Sequence, residues 1–247
     1  MIEKQFGAES SFRWRGNEIT RFEGLSDAVF AFAITLLIVS LEVPKTFTEL
    51  VTGLRGFAAF AVCFLLLMTV WFQQYTFFRR YGLQDTLTLT LNSVLLFVIL
   101  FYIYPLKFLF TLLFNIWMGI PPEVHLADGT VRAVIEQSQL PSLMIIYSAG
   151  YLAVSLVFTM LFWHANRLRI ELDLNPLERL GTRWSIVNSL VGVAAGVSSI
   201  LIATLGGIGH AGAAGWIYPV ILGPGFTITG TWQGRQRHRY SEKKAAA

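Results

Sequence analysis

Residues 21–44 read RFEGLSDAVFAFAITLLIVSLEVP, and the fold turns on how this stretch is understood. From Leu25 to Val43 the run is apolar apart from Ser26, Asp27, Thr35, Ser40 and Glu42, and Pro44 closes it. A helix needs about 20 such residues to cross the roughly 30 Å hydrocarbon layer of a membrane. The stretch therefore predicts a first membrane span over 25–43, and it carries a carboxylate into a region built for hydrocarbon. At 100° per residue, Phe32, Leu36, Val39 and Val43 share one narrow apolar stripe with Thr35 at its edge. Asp27 falls about 140° away, on the back of the helix, facing the protein interior if the stripe faces a pore.

The whole chain agrees with a membrane setting. Of its 247 residues, 54% are hydrophobic and only 14% charged, with a mean hydropathy of +0.57. A soluble domain carries about a quarter charged residues. The N-terminal segment 1–20 is polar and mixed in charge, unlike a cleavable secretory signal. Cys63, the single cysteine, lies in an apolar run and reads as a small core hydrophobe.

Apolar blocks set against charged punctuation predict an all-α protein of six membrane helices: 25–43, 49–73, 86–105, 142–164, 184–205 and 213–232. Pro105 is expected to bend or break the third span ahead of a further apolar piece. Pro219, Pro224 and neighbouring glycines suggest a sixth span that is kinked or partly unwound. With the N-terminus inside, fifteen of the 19 Lys and Arg residues fall on the cytoplasmic side, and only Lys45, Arg55 and Arg132 fall outside. This asymmetry orients both termini to the cytoplasm. The organisation expected is a cytoplasmic segment 1–20, a membrane domain 21–232 and a basic, disordered tail 233–247 drawn weakly to anionic headgroups.

Depth suggests partners for the buried acid. At 1.5 Å per residue, Asp27 lies about 9 Å beyond Arg21. The descending second span reaches Trp71 and Gln74 shortly before Arg79, and the rising third span reaches Asn92 at a similar level. Arg21, Ser26, Asp27, Trp71, Gln74 and Asn92 are thus candidates for a polar network joining the first three spans, because a carboxylate in hydrocarbon is costly unless paired. Arg21 is six residues from Asp27, the wrong spacing for a direct pair on one straight helix, so a meeting needs a departure from helix before Gly24 or a pairing between subunits. The plainer alternative is that Ser26 caps the helix and the helix dipole favours Asp27.

The run Arg21-Phe22-Glu23-Gly24-Leu25-Ser26-Asp27, followed by AVFAFAITLLIVSLEVP, resembles the signature of the potassium channel family called transmembrane protein 175, in its short prokaryotic form. That signature is Arg, three residues, then Phe-Ser-Asp; Leu25 stands here in place of the Phe. The resemblance continues in VWFQQY and LTLNSVLLFVILFYIYP, with Gln74 near a position that is often His. It implies a homotetramer in the prokaryotic plasma membrane, with four copies of the first helix around a potassium-conducting pore. By motif offset it places the apolar constriction on Phe32, Leu36 and Val39 and a selectivity layer on Thr35. Phe32 is bulkier than the Ile or Leu that the family pattern carries. Glu42 would add a ring of carboxylates at the outer mouth, or else stand simply as an interfacial residue in water.

Such a pore gates by steric closure and dewetting of its apolar neck. A secondary cation or proton transporter and a non-transporting membrane scaffold are the alternatives; a transporter favours a discontinuous helix and a midplane site. His125, His164, His210 and His238 are scattered without metal-ligand spacing or a nucleophile–base pair, and no phosphate-binding loop occurs. The expectation is a channel rather than an enzyme, with no cofactor beyond the permeant potassium ion. Its partners would be lipid, monovalent cations and further copies of itself, with no nucleic acid.

Overall fold

The computed structural model describes residues 12–16, 18–39, 46–47, 57–119, 123–125 and 130–245. The chain is helical: α1 (Arg21–Val39), α2 (Phe57–Tyr81), α3 (Thr86–Trp117), α4 (Leu140–Arg167), α5 (Pro176–Leu205) and α6 (Gly207–Ala245). Between α3 and α4 a short antiparallel pair, β1 (Glu123–His125) and β2 (Val131–Ala133), precedes a single 3-10 turn at Gln137–Gln139.

Four of these helices are long and apolar enough to cross a membrane: α2, α3, α4 with its preceding turn, and α5. Their length follows from the solvent. Hydrocarbon offers no partners for backbone N–H and C=O groups, so a spanning segment must satisfy them within its own helix. The first helix spends its opening turns on Arg21, Glu23 and Asp27, and α6 ends in a charged segment.

Helix ends follow local chemistry. Thr20 accepts from the Glu23 backbone N–H at 3.1 Å, and its own hydroxyl reaches Glu23, so α1 begins at Arg21 rather than near Leu25. Ser26 therefore sits inside the helix and is not its cap. Asp85 caps α3 by accepting from the backbone N–H of Thr88. Asn175 and Glu178 form a reciprocal capping box at the start of α5, with Pro176 in the first turn.

At the prolines the helices are neither broken nor unwound. The third span does not stop at Pro105 but continues as one 32-residue helix to Trp117, where the Pro105 carbonyl accepts from the Tyr147 hydroxyl of α4. A single missing donor among the many bonds of a long helix is absorbed when neighbouring helices pack around it. The sixth helix likewise runs through Pro219 and Pro224 and on through the basic tail to Ala245, which is helical rather than disordered.

Packing divides the molecule into two groups of three. Phe30, Ala33 and Leu37 bury one face of α1 in a core shared with α2 and α3, and that core continues through Phe77, Tyr81, Phe158 and Phe162 into α4. Small residues make the second group close. A Cβ on Gly196 would lie 3.0 Å from Leu152, and one on Gly192 2.8 Å from the Ser155 hydroxyl, so α4 and α5 meet nearly backbone to backbone. Ser148 donates to Ser199 at 2.7 Å, and Ser199 donates to the Ala214 carbonyl, tying in α6.

Candidate functional site

The candidate site is built around α1. Its inward face is centred on Ser26, Phe30, Ala33 and Leu37, which recur at three- and four-residue spacing and are all buried. Ser26 donates back to the Phe22 carbonyl at 2.9 Å and accepts from the Asn92 amide of α3 at 2.9 Å. Asn92 in turn accepts from the Gln74 amide of α2 at 2.7 Å. Asn92 is 0% exposed and Gln74 3%, so one buried relay joins the first three helices. Burying such groups is tolerable only when they find partners, and these do.

Asp27 stands beside this relay and accepts from the Trp71 indole N–H at 2.8 Å. It is exposed on the single subunit, not turned into the interior as the wheel suggested. The inward direction is set by Ser26 and Ala33, and Asp27 lies one residue round from it. From Trp71 the contacts continue along α2: its ring stacks on Tyr75, and the Arg79 guanidinium sits 5.4 Å from the Tyr75 centroid. Arg79 pairs with Glu23 of α1 at 3.3 Å. Glu23 and Asp27, and Trp71, Tyr75 and Arg79, are each spaced at four, so two facing helical edges meet. Tyr75, Arg79 and Glu23 were missed by the sequence reading, although this spacing carried the signal.

Arg21 takes no part in the network. It is exposed and makes no contact with Asp27; it lines an open recess of about 710 Å³ with Arg15, Glu18 and Glu23 at the start of α1. Its place in the first turn, one residue after the Thr20 cap, points it away from the Ser26 face.

The other side of α1 is uncovered. Phe32 is 57% exposed and Leu36 40%, and Thr35 is exposed between them. The Thr35 hydroxyl donates to the Ala31 carbonyl at 2.9 Å, which leaves its oxygen lone pairs facing outward. Val39 is the last described residue of the helix, and Glu42 lies outside the described residues. Near the same end, the Lys107 ammonium of α3 donates to the Leu37 carbonyl at 2.8 Å, joining the two helices.

Part of the segment that the sequence reading left only as a polar cytoplasmic stretch is tied to the helices. Arg15 grips Glu178 through two nitrogens at 2.8 and 3.1 Å and also donates to the Leu172 carbonyl. The backbone N–H groups of Arg15 and Gly16 donate to the Arg79 carbonyl, while the Arg79 side chain returns a bond to the Gly16 carbonyl. Residues 12–16 thus strap the end of α2 to the start of α5. A Cβ on Gly16 would lie 2.7 Å from the Phe78 carbonyl oxygen, so the strap fits only with glycine there.

Spanning helices with a hydrogen-bonded polar cluster held among them define an integral membrane protein. A family profile described as "Endosomal/lysosomal potassium channel TMEM175" matches residues 21–102, the stretch that holds the relay. A protein of Marivirga tractuosa named potassium channel is 40% identical over 202 residues, covering 82% of this chain and 81% of its own. A potassium channel of Streptomyces collinus is 28% identical over 157 residues, 61% of this chain and 66% of its own. Among solved structures, a variant of the potassium channel MtTMEM175, crystallised in complex with a nanobody–MBP fusion protein, superposes with a TM-score of 0.79. That match has 36% identity and covers 93% of this chain and 99% of that one. The chain belongs to the TMEM175 family.

Proposed function

We propose that this protein is a potassium channel whose pore runs down the axis of a homotetramer lined by four copies of α1. The observation that carries the reading is the two-sidedness of α1. One face is fixed to α2 and α3 through Ser26, Asn92, Gln74 and the Asp27–Trp71 bond; the other presents Phe32, Thr35 and Leu36, all exposed on the single subunit. The names of the similar proteins supply the ion.

In this reading Phe32, Leu36 and Val39 form an apolar neck that closes by steric contact and dewetting. The outward lone pairs of Thr35 suit a dehydrating cation once a small rotation of α1 brings them to the axis. Glu42 contributes a ring of carboxylates that concentrates cations at the outer mouth. On the same reading the four long helices together with α1 and α6 make six spans, with both termini on the cytoplasmic side of a prokaryotic plasma membrane, in keeping with the Lys and Arg asymmetry. A transporter reading draws no support from the described helices, which run unbroken through every proline they contain.

Flux from reconstituted vesicles tests the proposal. Potassium should move without a coupled ion, and Phe32→Ala should raise the resting leak at least severalfold by opening the neck. Flux unchanged by substitutions at Phe32, Leu36 and Val39 alike would end the pore assignment, and saturable, coupled flux would make the protein a transporter.

A further inference from the structure

Lys107 is the one cation that the inside–outside count leaves over, set in the apolar run LKFLFTLLF of α3. It lies ten residues short of Trp117, within a helix long and apolar enough to cross a membrane. A lysine in such a place reaches along its stem for water at the nearer surface, or else marks a working contact. Here the ammonium turns to a neighbouring helix, donating to the Leu37 carbonyl of α1 at 2.8 Å, and Leu37 is 1% exposed.

The turn that carries Lys107 is itself held. The Tyr102 hydroxyl donates to the Tyr147 carbonyl at 2.9 Å, and the Tyr147 hydroxyl donates back to the Pro105 carbonyl. Gly150 leaves room for the Tyr102 ring, which a Cβ at that position would run into. Residues 102–107 of α3 are thus clamped to α4, and Lys107 extends the clamp to α1. The first helix is pinned to α3 twice: Ser26 meets the Asn92 amide near its start, and about 16 Å further along Leu37 meets Lys107. The second pin lies in the same turn as Thr35 and Leu36. Rotation of α1 by about half a residue step swings an atom at the backbone radius by about 2 Å, enough to break a 2.8 Å hydrogen bond.

We propose that Lys107 is a positioning residue that fixes the orientation of α1 at the level of Thr35 and Leu36, and so holds the neck in its resting state. Its effect on conduction rests on the pore reading above; its effect on the orientation of α1 does not. Two measurements on the whole assembly, in detergent and in vesicles, separate these. A trifluoromethyl probe on Ile38→Cys, an exposed position of α1, reports orientation by fluorine NMR, while the native Cys63 is 0% exposed and stays unlabelled. Lys107→Met keeps an unbranched stem and removes the ammonium. It should turn one dominant probe signal into two of comparable size and raise resting potassium flux about tenfold, the population shift that one charge-assisted hydrogen bond supports. Its melting temperature should not fall, because an apolar group of similar volume replaces a poorly hydrated charge; a residue that only stabilised the fold would lower it. Lys107→Arg, which keeps a charged donor, should behave as native, and Lys107→Leu stands in if the methionine variant does not assemble. A single, unshifted probe signal after loss of the ammonium would overturn the proposal. So would Phe32→Ala raising flux while Lys107→Met does not. A changed signal with flux that neither substitution alters would uphold the orienting role and end the pore reading instead.

Discussion

Asn92 is the residue on which the site turns. Its amide donates to Ser26 and accepts from Gln74, so Asn92→Ala strips the buried Gln74 amide of this partner, while Ser26 keeps its bond to the Phe22 carbonyl. Such an unpaired group costs about 1–3 kcal/mol. The variant should lower the melting temperature in detergent by several degrees, whereas Asp27→Asn, which keeps an acceptor for the Trp71 indole, should lower it less. Equal losses would mean that the relay contributes nothing beyond the Asp27 contact. The level shared by Ser26, Trp71, Gln74 and Asn92 was legible in the sequence because helical rise is constant and charged residues mark the ends. Arg21 stands outside the network within one subunit: its distance from Asp27 was legible but the direction of its turn was not. The Thr20-x-x-Glu23 pattern was a readable start signal that would have given that direction.

At the scale of elements, the turn between α2 and α3 is held by Asp85. Burial pushes its carboxyl pKa up, but the bonds from Thr88 and the neighbouring His164 at 2.9 Å outweigh this and hold it below the usual carboxylate range. A folded pKa below the unfolded one stabilises the protein above about pH 4, and the gain is lost as pH falls through the folded value. Acid unfolding of Asp85→Asn should therefore show a shallower loss of stability below pH 4 than the native protein; parallel curves would remove the turn from the acid response. The α4–α5 contact makes a second prediction. With Leu152 and Ser155 packed against Gly196 and Gly192, Gly196→Leu overpacks the contact and should cost about 1–3 kcal/mol, seen as a lower melting temperature. The glycines and serines of α5 were visible in the sequence, but which helix they admitted was not.

For the whole molecule, the strap at residues 12–16 links α2 to the α4–α5 joint immediately before the chain enters α1. Glu178 is 1% exposed, and Glu178→Gln leaves the Arg15 guanidinium with a neutral partner in a nearly dry place. Breaking a buried pair from one side costs about 3–5 kcal/mol. A cooperative unfolding transition that drops well below that of the native protein is expected, and an unchanged one would make the strap incidental. Assembly belongs to this scale too: a mass measurement in detergent should return four copies of the 27.7 kDa chain.

The sequence by itself determined that the chain is a helical membrane protein, which residues share a depth, and to which family the first three helices belong. These follow from local quantities: apolar run length, helical period, rise per residue and a short motif. Tertiary structure alone decided that the helix runs on past Pro105, that within one subunit Glu23 and Arg79 join the site while Arg21 does not, and that residues 12–16 strap two helix ends together. Those outcomes depend on how whole helices turn against one another, and that rotation is settled by the sum of many distant contacts.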